Sequence, residues 1–483
     1  MVQVTEQQNN SYNLEKVYID AFRQVSTSGG DRYPDAKNAF LDILFKGTLI
    51  VNYLGHGGDD GWTQERVFTS SDINALTNAD KLPLFITATC SFGPHDDPTT
   101  VSAGELLLLN PNGGAISVLT TVRVVIASHN ERLVRNTFNV IFDKKPNGQM
   151  PTTGEILQFS KNNAAISPPV NSRKYALLGD PTMKIAYPNH DVRTTQINNQ
   201  PITNSDTIRA LELVTISGEV IDNNGAKVSN FNGTIYPTVF DKQDRLYTLG
   251  NDAGSFPDDF FLRKKVIFKG QASVVNGNFT FSFVVPKDIN YSLGYGKISY
   301  YAKSDANLDA HGHYYGLVVG GSNPNPPTDN QGPEVLVYMN TEEFARGGIT
   351  DNNPKLLVKL YDENGINTVG NSIGHDLTGK VLTPKQGEEL EYVLNDFYES
   401  TKDDYTRGSV LYPLKDLEPG LHTVTVKAWD VFNNPGEGST EFIVAETADV
   451  ALAHVLNYPN PFTTSTNFQF EHNLTGQSLE VQV

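Results

Sequence analysis

The chain has 483 residues, with 37 Lys plus Arg against 55 Asp plus Glu, a net charge of −18. An acidic chain without a basic run excludes phosphate-backbone recognition, which needs clustered cations, so no nucleic-acid partner is expected. A single cysteine, Cys90, excludes an internal disulfide framework, and no stretch of about 18 apolar residues reads as a membrane span.

The N-terminus, Met1-Val2-Gln3, leads straight into polar residues. That reads as a cytosolic protein or one whose leader is missing. Lys16 to Asp20 then reads as a short strand. Pro34 opens a helix with Ala36, Ala39, Phe40, Ile43 and Leu44 on one face and Gly47 as its stop. Thr48 to Leu54 is an apolar strand, Ser71 caps a short helix through Leu76, and Leu84 to Thr89 is a buried strand. A helix from Val101 to Leu109 and a strand from Ala115 to Leu119 follow, then helices at His129 to Phe142 and Thr153 to Ala165. Near-continuous apolar strands between helices predict a parallel α/β sheet covered on both faces, over residues 1–187.

After Pro188 helical periodicity nearly vanishes. Alternating runs such as Leu213 to Ser217 and Asn278 to Val285, separated by turns at Asp222-Asn223-Asn224-Gly225 and Asn276-Gly277, predict antiparallel β-sandwiches at 191–320 and 333–445. Ser322 to Pro327 is a stiff proline-containing linker between them. Residues 448–483, with Tyr458-Pro459-Asn460-Pro461-Phe462, start a further β-domain that reads as truncated at Val483.

The chemistry sits at two strand ends. Thr48 to Leu54 runs into Gly55-His56-Gly57-Gly58, and Leu84 to Thr89 runs into Cys90-Ser91-Phe92-Gly93. Functional groups of open α/β sheets sit at the carboxyl ends of strands. A thiol is intrinsically nucleophilic and becomes more so beside a cationic imidazole. The backbone N–H groups of Gly57 and Cys90 are candidates for an oxyanion hole. Trp62, Thr121 and Arg123 are candidates for the substrate cleft. The plainer alternatives are a glycine turn around His56 and a buried strand-end thiol at Cys90.

With their flanks these residues resemble the gingipain family of cysteine peptidases. The matching strings are Leu49 to Gly58, Leu82 to Cys90, Asn112-Gly113-Gly114-Ala115-Ile116 and Leu178-Gly179-Asp180-Pro181-Thr182. Gln24 to Gly30, Gly61 to Val67 and Val101 to Leu107 are similar to the branch that serves as C-terminal signal peptidase, or sortase, of the type IX secretion system. The resemblance implies a caspase-like fold represented here by its second subdomain only, the N-terminal subdomain being missing. With that half goes the acidic residue that assists the histidine. It implies a dyad in which Cys90 attacks and His56 protonates the leaving amine. It implies immunoglobulin-like (Ig-like) β-modules and a type IX C-terminal domain. It implies substrates bearing C-terminal sorting domains, an outer-membrane barrel partner (PorV), anionic lipopolysaccharide as a possible acceptor, and an outer-membrane-associated place on the surface of a Bacteroidetes-type cell. Two alternatives stay open: a secreted gingipain-like protease that degrades extracellular proteins, and a non-catalytic adhesin. No cofactor or metal is expected. His311-Gly312-His313 lacks a third ligand and reads as a solvated loop. Asp362-Glu363-Asn364-Gly365 reads as a β-turn, since Asn371 stands where a calcium loop needs an acid. His95, Asp96 and Asp97 read as a polar loop near the site.

Overall fold

Helix α1 (Pro34–Lys46) starts at a proline, whose fixed φ suits the opening turn, and stops at Gly47 with φ 100°, a region that favours glycine. Its buried face is Ala36, Phe40 and Leu44, at helical spacing. The computed structural model describes residues 5–6, 10–163, 169–203, 206–369, 374–385, 388–445, 452–461 and 464–472. The chain divides into two units, Met1–Pro188 with Asp244–Leu262, and Asn189–Gln243 with Arg263–Val483. Among the described residues no helix is long and apolar enough to cross a membrane.

In the first unit, strands β1 (Ile50–Leu54), β2 (Leu84–Ala88) and β3 (Ser117–Thr121) are parallel neighbours. Every residue of β2 and β3 is buried, as a sheet covered on both faces requires. Helices α1, α2 (Ser70–Asn74) and α3 (Ala103–Leu109) pack Phe40, Ile73 and Leu107 against Phe85 and Val118 on one face. Helices α4 (Ala127–Val140) and α5 (Thr153–Asn162) pack Val134, Phe138 and Ile156 against Ile86 and Leu119 on the other. A fourth strand, β4 (Tyr175–Leu178), pairs antiparallel with β3, so the sheet is mixed rather than wholly parallel. Two successive helices packed on one another return the chain to the end it left, and the next strand must run back.

Three further expectations change in this unit. Lys16 to Asp20 is not a strand; a 3-10 turn covers Ile19–Ala21, where the Asp20 carboxylate accepts the Gly250 and Asn251 amides at 2.8 and 2.9 Å. Those amides belong to a hairpin, Asp244–Tyr247 with Asp259–Leu262, that groups with the first unit rather than with its sequence neighbours. Helix α2 is capped by Thr69 through a capping box with Asp72, not by Ser71. The end of the helix expected through Ala165 falls at Asn162, and 164–168 lie outside the described residues.

The second unit is antiparallel. Leu213–Ile221 buries every second residue, Val214, Ile216, Gly218 and Val220. A nine-stranded sheet closes on itself where Asp309–Tyr314 lies parallel to His190–Ile197. Ala272–Val275 pairs with both Asn278–Val284 and Gly233–Phe240, so no edge is left between them. Residues 191–320 thus form a closed sheet, with a three-stranded sheet of Asp206–Ala210, Leu317–Ser322 and Gly294–Tyr295, instead of two facing sheets. Residues 333–445 do form two sheets, of four and five strands, around one apolar cluster. The two β-regions are joined by more than the linker at Ser322 to Pro327: Asp288 accepts from Asn367 Nδ2 at 2.9 Å and Asn433 Nδ2 at 2.7 Å. Leu452–Tyr458 pairs with Asn467–His472, while 446–451, 462–463 and 473–483, with Phe462 and Val483, lie outside the described residues.

Candidate active site

Leu54 of β1 lies beside Ala88 of β2, and the Gly55 amide donates to the Ala88 carbonyl at 3.4 Å. His56 and Cys90 each follow that pair by two residues, at the carboxyl end of parallel neighbours. His56 is exposed and Cys90 half-buried. The loop after His56 folds back as a hairpin, Gly57–Gly58 with Gly61–Trp62. A Cβ on Gly57 would stand 2.6 Å from Thr89 Oγ1 and 2.8 Å from the Gly61 carbonyl. Only glycine lets this backbone meet the residue before Cys90.

The hairpin's ladder also decides where the Gly57 amide points. Thr63 N–H donates to the His56 carbonyl at 2.9 Å, which makes 56 and 63 a hydrogen-bonded pair. Such pairs alternate along an antiparallel ladder, so Gly57 and Trp62 are a non-bonded pair. The Gly57 N–H therefore points away from its partner strand. The His56 carbonyl takes a second bond, from Tyr53 Oη at 2.6 Å, and the Tyr53 ring stacks on Trp62 with centroids 4.2 Å apart.

On the cysteine side the backbone turns sharply. Ser91 has φ 45°, a left-handed conformation costly for a residue with a side chain. The Ser91 and Gly93 amides donate to the Arg123 and Thr121 carbonyls at 3.3 and 3.0 Å. The Thr121 hydroxyl donates to the Thr89 carbonyl. Helix α3 clamps both loops at its start: Ala103 N–H donates to Asp59 O at 2.7 Å and Gly104 N–H to Phe92 O at 2.9 Å. Ser102 and Glu105 form the capping box that fixes this start. The Cys90 thiol donates to the Val125 carbonyl at 3.9 Å.

The cleft candidates fall in different places. Trp62 is buried among Tyr53, Phe40, Phe68, Phe85 and Phe92, so it builds the floor under the His56 hairpin and does not line an open cleft. Thr121 is likewise buried and spends its hydroxyl on β2. Arg123 is exposed and paired with Asp96 at 2.6 Å; that hydrogen bond pushes the Asp96 carboxyl down to about 2. Asp97 turns to Thr99, and His95 Nδ1 lies 3.3 Å from the Gly93 carbonyl. The positioning residues Tyr53, Thr89, Ser102 and Glu105 carried no signal that composition or periodicity exposes, apart from the capping-box spacing of the last two.

The remaining signals stay outside the site. His311 and His313 sit on the strand Asp309–Tyr314 instead of a solvated loop, and burial lowers both imidazoles. Asp362 closes its turn by accepting the Asn364 and Gly365 amides. Carboxylate oxygens of Asp329, Asp362 and Asp430 lie within 4.8 Å of one another. Burial, then Asp430 and Asp329, push the Asp362 carboxyl up to about 6.

Residues 1–186 match the family model of peptidase family C25, the gingipain family. No protein of curated function matches the chain. Among solved structures, dimeric latent PorU from Porphyromonas gingivalis is 29% identical over 69% of this chain and 32% of its own, with a TM-score of 0.35. The complex of pro- and mature domains of Porphyromonas gingivalis RgpB is 14% identical over 59% of this chain and 57% of its own, at 0.29. The present chain thus spans about a third of the first and somewhat over half of the second.

Proposed function

We propose, from the kinship of residues 1–186 with peptidase family C25, that the first unit is a cysteine endopeptidase acting through Cys90 and His56. The observation that carries this reading is the parallel register of Leu54 with Ala88, two residues before His56 and Cys90, with the Gly57 backbone against Thr89. Cys90 Sγ attacks the scissile carbonyl carbon, and the oxyanion takes the Gly57 and Cys90 N–H groups. As the C–N bond breaks, the His56 imidazolium gives its proton to the departing amine, leaving a thioester. Water then releases an acid, or an acceptor amine releases a new amide. Both outcomes regenerate the thiol.

The substrates are proteins bearing C-terminal sorting domains of the type IX secretion system, as for a PorU-type sortase. Anionic lipopolysaccharide is the acceptor when the thioester goes to an amine, and the barrel PorV is the partner that holds the enzyme at the outer membrane. In this reading the first unit is the second subdomain of a caspase-like fold. The β-region at 333–445 is an Ig-like module, with a type IX C-terminal domain from 448.

The test is Cys90→Ala in the full chain, expressed in a host that exports sorting-domain cargo. Retained sorting domains on all cargo, with unchanged far-ultraviolet circular dichroism, are expected. Normal release of those domains by the variant would refute the assignment. Loss of digestion of unrelated extracellular proteins, with cargo processing intact, would favour a secreted protease instead.

A further inference from the structure

Beyond the dyad, the structure assigns a positioning role to Tyr175: we propose that its hydroxyl is the buried donor that receives the Cys90 thiolate. This rests on the reading of Cys90 as a nucleophile.

The argument starts from the thiol's resting partner. Cys90 Sγ–H donates to the Val125 carbonyl. A thiolate has no proton to donate, and a carbonyl oxygen offers it none. On ionising, the sulfur loses this partner and is repelled by it. Cys90 is half-buried, so on its enclosed side the sulfur then needs a donor in the protein, or an added desolvation cost results.

Sheet geometry points to where that donor is. Tyr175 is opposite Thr121 in the β3–β4 ladder. The β2–β3 register, with Ile86 beside Leu119, puts Ala88 beside Thr121, and the Thr87–Thr120 hydroxyl bond of 2.8 Å marks the adjacent row. One row across the sheet therefore reads Ala88, Thr121, Tyr175, spanning about 10 Å over two strand spacings. Ile86, Ala88 and Leu119 share one apolar cluster with Leu177, so alternation puts Tyr175 on that same face. Cys90 follows Ala88 by two residues, and Val125, which holds its thiol, leads into α4 over that face.

The hydroxyl itself is unspent. Tyr175 is buried to 3% exposure, and among the described residues its Oη has no hydrogen-bond partner, the resting Cys90 sulfur included. An enclosed phenol without a partner costs stability, so its presence asks for a reason. Burial first, and the Cys90 charge second, push its pKa far above the ordinary phenol value. It therefore remains a neutral O–H able to donate. The other charged or titratable groups around the row are accounted for as follows. Lys161 of α5 donates to the Tyr175 carbonyl, and Lys174 donates to the Val124 carbonyl. Arg123 pairs with Asp96 on the exposed rim. His129 of α4 has its Nδ1 enclosed and unpartnered among the described residues, and His56 is exposed beside the hairpin.

Cys90 is the chain's single cysteine, so alkylation by iodoacetamide reports on it alone and needs no substrate. The rate is measured against pH in the full chain for the parent, Tyr175→Phe, and Tyr187→Phe as the control. Tyr187 packs on the same cluster but donates to the Ile141 carbonyl. Losing one hydrogen bond to a charged group should cut the thiolate fraction roughly tenfold and raise the midpoint about one pH unit in Tyr175→Phe alone. Superimposable parent and Tyr175→Phe profiles would overturn the proposal, as would an equal shift in Tyr187→Phe. Should Tyr175→Phe fail to fold, 3,5-difluorotyrosine at position 175 keeps the shape with a stronger donor. The midpoint should then fall, and an unmoved one overturns the proposal. Failure of the peptidase reading shows separately, as peptide cleavage that survives Cys90→Ala.

Discussion

Strand β2 of the first unit and Leu213–Ile221 of the second are both apolar-rich strands, yet they meet solvent differently. Every residue of β2 is buried, whereas Leu213–Ile221 buries only alternate positions. In the second unit the polar side chains of such strands pair across the wet face: Thr215 with Ser282 at 2.8 Å and Ser217 with Thr280 at 2.9 Å. Water can replace either partner there. In the first unit Thr87 and Thr120 must satisfy each other inside the sheet, and Thr89 Oγ1, Ser117 Oγ and Tyr175 Oη are enclosed with no partner among the described residues. Thr89 follows β2 and Tyr175 opens β4 at the edge that carries Cys90, while Ser117 opens β3 at the opposite edge. The difference teaches that polar side chains inside a doubly covered sheet must satisfy one another, whereas on a wet face water can stand in for either partner; enclosed polar atoms such as Tyr398 Oη and Ser400 Oγ occur in the second unit too, where its strands turn inward.

The comparison can be broken most forcefully at the edge itself. His56→Ala should lower amide cleavage by about 10²–10⁴-fold, the range for positioned acid–base groups. Activated esters need no proton on the leaving group, so their cleavage should suffer less. Equal losses on amide and ester in steady-state assays would mean that His56 only orients the site. Gly57→Ala comes next, because the new methyl meets Thr89 and the Gly61 backbone at 2.6 and 2.8 Å. A displacement of the hairpin by about 1 Å should cost on the order of 10²-fold in kcat/KM. Unchanged kcat/KM would show that the Gly57 amide plays no part.

A paired measurement sharpens the contrast between the sheets. Thr87→Val removes the bond to Thr120 within a dry sheet and should destabilise the first unit by about 1–3 kcal/mol. Ser217→Ala, on an exposed cross-strand bond, should stay within about 0.5 kcal/mol in the same denaturant titration. Similar losses in both would dissolve the distinction.

The smallest effect concerns the second unit's acidic turn. Asp362 in the folded chain is pushed up to about 6 by burial and by Asp430 and Asp329. The unfolded carboxyl titrates near 4. Between those values the folded state holds the extra proton, so this group's stabilisation is complete below about pH 4 and is lost as pH rises through about 6. Asp362→Asn should flatten the thermal stability of the second unit between pH 4 and 6 relative to the parent. Parallel melting curves across that window would show that the carboxyl is not protonated there.

Much of this was legible in the residues. Pro34 and Gly47 bracket a helix because each restricts or permits a backbone angle whatever surrounds it. Unbroken apolar runs at β2 and β3 announce burial on both faces, and alternation at Leu213–Ile221 announces one wet face. Those patterns, with His56 and Cys90 closing two such runs, follow from local sterics and the period of the chain, which a single sequence carries. What tertiary structure decided lies across the chain. The reversal of β4, the closure of the sheet by Asp309–Tyr314 on His190–Ile197, and the capture of the 244–262 hairpin by Asp20 all depend on backbone groups. Backbone amides are the same at every position, so no residue type marks them in advance. The same holds for Trp62, an exposed-cleft candidate by its loop position that the surrounding aromatic rings turned into a floor, and for Tyr175, whose neighbour Cys90 is distant along the chain and close only because β2, β3 and β4 lie side by side.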